Sequence, residues 1–344
     1  MEGPWGTGPY KLVKGFSTPN KRSDQVVLEA NTQYWDPSRL PRLRRVIFDN
    51  TISGKEAVEL VVAGDRRVDM VTQLSPLDTL KVAQSAHAKV VKNRNSHWMV
   101  VGLLNMLKTG SPWHDVRLRK AVNLAINRAD LIQYAAKGNG RIVPALVPAS
   151  AFGYPEGLEP YSFDPAGAQA LLREAGHPDG LSISLIAPES LRVQATVVTS
   201  MLERVGFKVE QQVLDPSGFG QRVTRATLDR PAEQQTWDIA LSQEVSWGSF
   251  PALDLYSDLV KDGYADWVEE SPELQRLRDR VLRTIDRGEQ DLLTREMERF
   301  TLEQAYFLFP YQPIDLVAVK KTVTYVAYPT NLILVETAVA SRAR

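Results

Sequence analysis

Gly6-Thr7-Gly8-Pro9-Tyr10-Lys11-Leu12, followed by Glu29-Ala30-Asn31-Thr32-Gln33-Tyr34-Trp35-Asp36, is the stretch whose reading decides the fold. Gly-Thr-Gly opens like a phosphate-binding turn. A strand and not a helix follows it, however, so no helix amino terminus is offered to an anion. Apolar residues alternate or cluster over 10–16 and again over 25–30, as in paired strands, and Pro19-Asn20 supplies the turn between them. Farther on, 45–50 reads as another short strand, 54–64 as a helix ended by Gly64, and Val68-Asp69-Met70-Val71 as the strand after it. Strand, helix, strand is the repeating unit of an α/β lobe.

The whole chain has 344 residues, more than one core usually supports, so two lobes are expected. With 43% hydrophobic and 24% charged residues it has the composition of a soluble globular protein. Lys+Arg and Asp+Glu both number 41, which leaves no net field to attract nucleic acid or an anionic membrane. No apolar run approaches the roughly 20 residues that cross a bilayer. Cysteine is absent, so disulfides, thiolate metal sites and a lipid-bearing cysteine are excluded within these residues. Met1-Glu2-Gly3-Pro4 does not read as a signal peptide, and an exported protein would carry one farther upstream.

The βα pattern continues. A helix is expected over 76–86 and a strand over 89–91, and 97–106 is apolar enough to be a strand buried on both faces. In the block Trp113-His114-Asp115-Val116-Arg117-Leu118-Arg119-Lys120-Ala121-Val122-Asn123-Leu124-Ala125-Ile126-Asn127-Arg128, Asp115 sits where a helix cap belongs. Leu118, Ala121, Val122 and Ala125 line one face of that helix. Asp164-Pro165 starts another helix that Gly176 stops. Strands over 181–186, 207–213 and 237–241, with a helix carrying Val197, Val198, Met201, Leu202 and Val205, give a second βαβ lobe. Two charged amphipathic helices follow, with Leu274, Leu277, Val281 and Ile285 on one and Leu293, Met297 and Phe300 on the other. An apolar strand over 306–311 comes next.

These blocks, in this order, resemble the family 5 extracellular solute-binding proteins, the peptide- and nickel-binding receptors of bacterial ABC importers. The opening resembles the family's G-T-G-P-Y…N-x-x-Y-W segment, and 113–128 its P-F-x-D-v-R-v-R-x-A-i-n-x-A-I-d-R helix, with Trp113 for the aromatic and Asn127 for the acid. Residues 164–176 resemble its d-p-x-x-A-x-x-L-L-x-x-A-G. The resemblance implies an α/β, two-lobed periplasmic-binding-protein-like fold of the class II (cluster C) type. Because the opening motif lies well inside the chain in that family, a chain lacking the N-terminal strands and accessory lobe is expected. It implies a first lobe from 1–108 plus 306–344 and a second from 109–305. It also implies hinge closure over a small-molecule or peptide ligand in an interlobe cleft, and ABC permease subunits in the membrane as partners. The location implied for the full-length parent is periplasmic or extracellular. An effector-sensing domain of a cytoplasmic transcription regulator, or a non-functional truncated remnant, are the alternative readings.

No enzyme is expected. His87, His97, His114 and His177 are scattered, none at metal-ligand spacing from a second histidine or a carboxylate, and no nucleophile-elbow, Walker or dinucleotide motif is present. No cofactor and no metal follow from the sequence. What remains is recognition. Ser246-Trp247-Gly248-Ser249-Phe250-Pro251 falls where the family carries a W-x-x-D-Y-x-x-P-like loop, whose Asp pairs with the α-amine of a peptide ligand. Ser249 or Phe250 stands at that position, so the resemblance implies Trp247, Ser249 and Phe250 as ligand contacts and a ligand without a free α-amine. Trp247 also reads as a core aromatic. Tyr311 matches an aromatic that touches ligand in the family and also reads as a hinge-packing residue. Trp98 and Asn105, on the central strand, are weaker ligand candidates and read first as buried strand residues.

Overall fold

The computed structural model describes residues 7–18, 21–245, 251–260, 263–269, 271–328 and 338–340. The chain divides into two compact units, one from 1–94 with 315–344 and the other from 95–314. In the first, β1 (Tyr10–Lys14), β2 (Gln25–Ala30) and β3 (Arg45–Asp49) form an antiparallel sheet in sequence order. The turn assigned to Pro19-Asn20 lies outside the described residues. Helix α1 (Gly54–Ala63) starts where the Ser53 hydroxyl accepts the Glu56 N–H, and ends at Gly64, in the left-handed region at φ 73°. Its Val58, Leu60 and Val61 are buried. Strand β4 (Met70–Val71) follows, and β5 (Ala88–Asn93) comes after a short helical stretch of two turns.

The second unit is organised on β6 (Trp98–Leu104), all of it buried except Trp98, which is half-buried. Such a strand needs partners on both edges and cover on both faces, as its apolar run predicts. Two helices come next: α2 (Val116–Leu124), capped by the Asp115 carboxylate on the Arg117 N–H, and α3 (Arg128–Ala135), capped by Asn127 on the Asp130 N–H. The single helix expected over 113–128 is thus split, because Asn127 holds extended backbone dihedrals and restarts the chain. After β7 (Gly140–Arg141), α4 (Pro165–Glu174) buries Ala168 and Leu172 below its Asp164 cap.

Strand β8 (Leu181–Pro188), helix α5 (Arg192–Arg204) and strand β9 (Phe207–Leu214) make the parallel βαβ unit, paired from Leu181↔Phe207 to Pro188↔Leu214. Strand β10 (Ile239–Val245) is followed by α6 (Pro251–Leu259), α7 (Pro272–Arg283), α8 (Arg287–Glu303) and β11 (Phe307–Pro313). The sheet runs β9-β8-β10-β6-β11-β7, with β10 and β11 both antiparallel to β6. Close approach of β6 and β11 requires Gly102, since a Cβ there would stand 2.6 Å from the Leu308 Cβ.

The next strand, β12 (Asp315–Lys320), belongs to the first unit, where it pairs antiparallel with both β4 and β5. The expected lobe boundaries therefore move. Residues 95–108 and 306–314 lie in the second unit and not the first, because β6 pairs with both β11 and β10. Among the described residues no helix is long and apolar enough to cross a membrane.

Candidate functional site

Parallel β8, β9 and β10 bring their carboxyl ends, Pro188, Leu214 and Val245, to one edge of the second unit's sheet. Strand β11, antiparallel to β6 as β10 is, ends there too, and β6 begins there at Trp98. In open α/β sheets ligands bind beyond the carboxyl ends of the strands, where loops and helix starts collect. Pairing fixes what meets at this edge: Trp98 lies opposite Val245, and Val100 lies between Gln243 and Tyr311. Residues paired across a ladder, or two apart on a strand, share a face. Trp98, Gln243 and Tyr311 therefore stand on one face at one end of the sheet, with Gln243 exposed.

Tyr311 is 2% exposed and firmly placed. Its hydroxyl accepts from Gln194 Nε2 at 3.1 Å, in the first turn of α5. Burial pushes the phenol's pKa up, and the Gln194 contact opposes that. The ring lies over Gly140, where a Cβ would be 2.8 Å from Tyr311 Cδ2 and 3.0 Å from Ile132 Cγ1. The strand carrying it is clamped from α2 and α3. Asn123 Nδ2 donates to Phe307 O at 2.9 Å, Asn123 Oδ1 accepts the Phe309 N–H at 3.2 Å, and Arg128 Nε donates to Phe309 O at 2.7 Å.

Asn105 does not join this group. It follows the far end of β6, seven residues from Trp98 and so roughly 23 Å along an extended chain. It is fully buried, its Nδ2 donating to Trp237 O at 3.1 Å and its Oδ1 accepting the Lys108 N–H at 3.0 Å. These bonds shape the turn after β6. Trp247, Ser249 and Phe250 lie outside the described residues. Gln194 and Gln243 escape the sequence reading, because neither sits in a motif: strand register sets Gln243 across Val100 from Tyr311, and the packing of α5 brings Gln194 to its hydroxyl.

Glu244, one residue from Gln243 and on the opposite face, is 3% exposed. Its carboxylate oxygens accept from the Ser242 and Tyr264 hydroxyls, and burial raises its pKa. Asp258, on α6, is pushed up to about 6 by burial and by the nearby Glu244 and Asp254. Among the described residues no group of three or more His, Asp or Glu is placed to hold a metal ion.

The sequence matches the family of bacterial extracellular solute-binding proteins, family 5 Middle, over residues 1–265. Among curated proteins it is 28% identical over 222 residues to the glutathione-binding protein GsiB of Salmonella paratyphi A, a match covering 64% of this chain and 40% of that one. GsiB of Escherichia coli O1:K1 matches to the same extent. The match thus spans under half the length of these relatives. Among solved structures, the periplasmic binding protein DppA of Helicobacter pylori, in complex with peptide STSA, superposes with a TM-score of 0.78 at 19% identity. The likeness covers 97% of this chain and 63% of DppA. NikA of Brucella suis, in complex with Fe(III)-EDTA, gives 0.80 at 20% identity over 98% of this chain and 68% of NikA. These likenesses establish the fold as the mixed α/β fold of periplasmic binding proteins, and with the sequence match over most of its length this chain belongs to the family 5 bacterial extracellular solute-binding proteins.

Proposed function

We propose that this protein is the solute-recognition subunit of a bacterial ABC importer, acting in the periplasm or outside the cell and handing its ligand to membrane permease subunits. Ligand capture by hinge closure is part of the proposal, and no catalytic step is. The observation that carries the reading is the meeting of Trp98, Gln243 and Tyr311 at the carboxyl-end edge of a sheet whose chain belongs to a family of binding proteins. Trp98, half-buried, offers aromatic surface, the buried Tyr311 holds Gln194 through its hydroxyl, and Gln194 and Gln243 offer amide donors and acceptors. That is a surface for a polar, uncharged portion of a ligand. Trp247, Ser249 and Phe250 are proposed as further contacts; Asn105 is not.

The ligand we propose lacks a free α-amine at this site, as a blocked peptide, a sugar or a chelated metal does. Ser249 or Phe250 stands where the family's amine-binding Asp would be. Glu244, the nearest buried carboxylate in sequence, is already engaged by Ser242 and Tyr264. A buried amine without its carboxylate forfeits on the order of 3 kcal/mol, roughly a hundredfold in affinity. Calorimetric titration with glutathione, dipeptides and tetrapeptides, each beside its N-acetylated form, is the test. Acetylated forms are expected to bind at least as tightly; tight binding of free peptides that acetylation abolishes would refute the reading of this loop.

A further inference from the structure

Helix α6 follows directly on residues 246–250, and it packs between two buried carboxyl groups that no cation among the described residues neutralises. On one side, Glu298 of α8 is fully buried. Its Oε2 accepts the Leu146 N–H at 3.1 Å, while its Oε1 makes no hydrogen bond. The Tyr256 hydroxyl of α6 sits against the same carboxyl and donates to Thr301 Oγ1 at 2.6 Å. On the other side, Glu244 of β10 is held by Ser242 of its own strand and by Tyr264 of the turn after α6; Asp258 of α6 lies close to it, and Asp254 lies close to Asp258. The Ala265 N–H closes that turn onto Asp258 O at 2.9 Å.

The groups acting on Glu298 are the Leu146 amide and Tyr256. Those acting on Glu244 are Ser242 and Tyr264, and those acting on Asp258 are Glu244 and Asp254. Among the described residues no lysine or arginine joins them. A buried carboxylate with an oxygen lacking any donor is unstable as an anion and acceptable as a neutral acid. Two anions on one side of a short helix repel each other as well. Both sides of α6 therefore favour the protonated state.

We propose that α6 is a proton-operated latch: it stays docked while Glu298 and the Glu244–Asp258 pair hold their protons, and loosens when they release them. This inference goes beyond solute recognition and does not depend on which ligand is bound.

The sign follows from burial. It pushes Glu298 up to about 8 and Asp258 up to about 6, and Glu244 in the same direction. Docking is thus complete in acid and weakens as pH rises through these values. Hydrogen exchange by mass spectrometry on the whole chain, corrected for the intrinsic pH dependence of exchange, should show α6 amides losing about tenfold or more of their protection between pH 6 and pH 9. Most other helices of the unit should keep theirs. The E298Q/D258N variant, which replaces two of the acids by neutral amides of the same shape, should hold most of its α6 protection across that range. Flat protection in the wild type, or the same loss in the variant, would overturn the proposal. Infrared spectroscopy of the wild-type protein serves if the variant does not fold. A protonated-carboxyl band present at pH 7 and lost with the same midpoint as α6 protection supports the latch. Its absence at pH 7, or a midpoint that does not track α6, refutes it.

Discussion

Arg128 offers the sharpest test of how the second unit holds together. The guanidinium is buried, 4% exposed, and its bonds go to oxygens of neutral groups. Nε donates to Phe309 O at 2.7 Å; Nη1 to Asn123 O at 3.1 Å, Ile126 O at 3.3 Å and Tyr161 O at 3.1 Å; and Nη2 to Asn123 Oδ1 at 3.0 Å. Burial lowers its pKa to about 10, so it stays charged at neutral pH. Arg128→Met keeps much of the packing and strands three buried carbonyls, those of Phe309, Asn123 and Ile126. At about 1–1.5 kcal/mol each, less the desolvation recovered on removing a buried cation, the expected loss is about 3 kcal/mol. Arg128→Lys should rescue little of it. An ammonium has three donors, no planar fork to span five acceptors, and a larger hydration to give up. Urea unfolding, followed by the fluorescence of the buried Trp113, Trp237 and Trp267 of the same unit, gives both numbers. A lysine variant within about 0.5 kcal/mol of wild type would refute the reasoning, since it would mean that one point charge does what the fork is said to do.

Glu298→Gln should flatten part of the stability profile. The acid's folded pKa of about 8 lies above its ordinary 4.5, so wild type is stabilised below pH 4.5 and loses that contribution as pH climbs toward 8. The span is of order 5 kcal/mol, and melting temperatures of the two proteins should agree in acid and diverge in the variant's favour by pH 8. Asn105→Ala should cost about 2–3 kcal/mol in thermal unfolding, by leaving the Trp237 carbonyl and the Lys108 N–H unpaired, with no change in affinity for any ligand found by calorimetry. Gly140→Ala should destabilise by about 1–3 kcal/mol and alter the near-ultraviolet dichroism of tyrosine, because the new methyl meets the Tyr311 ring.

Local rules carried much of the fold. Asp115, Asp164 and Ser53 cap helices as their side chains allow, Gly64 stops one, and the apolar run of β6 lies at the sheet's centre. The misreadings share a cause, which is that position along an element is silent about where its ends point. Trp98 and Asn105 look equivalent on one strand until the strand's length separates them. Helix α6 passes unread because 246–251 is taken as a recognition loop, although Pro251 at its start and Leu255 and Leu259 one turn apart are helix signals. Lobe boundaries slip because pairing of β6 with β11 joins residues about 200 apart, and no short-range pattern reports that.

The block that most clearly marks the family, 113–128, turns out to aim inward. Arg119 Nε donates to Gln304 O at 2.9 Å and its Nη1 to Trp113 O at 2.6 Å, with its guanidinium 5.3 Å from the Tyr306 ring centre. Asn123 binds Phe307 and Phe309, and Arg128 binds Phe309. Three polar side chains on successive turns of α2 and α3 thus grip main chain within 304–309, the approach to and first half of the strand that carries Tyr311. A buried guanidinium or amide is costly without full hydrogen bonding, so such a grip tolerates few other residue types. That makes the block easy to recognise and uninformative about the ligand, because its buried polar groups, Arg119, Asn123 and Arg128, are all spent on neighbouring main chain. The residues we propose for recognition, Gln194 and Gln243 beside Trp98 and Tyr311, are instead single residues on different elements that only the folded unit brings together, which is why the sequence names the fold more readily than the solute.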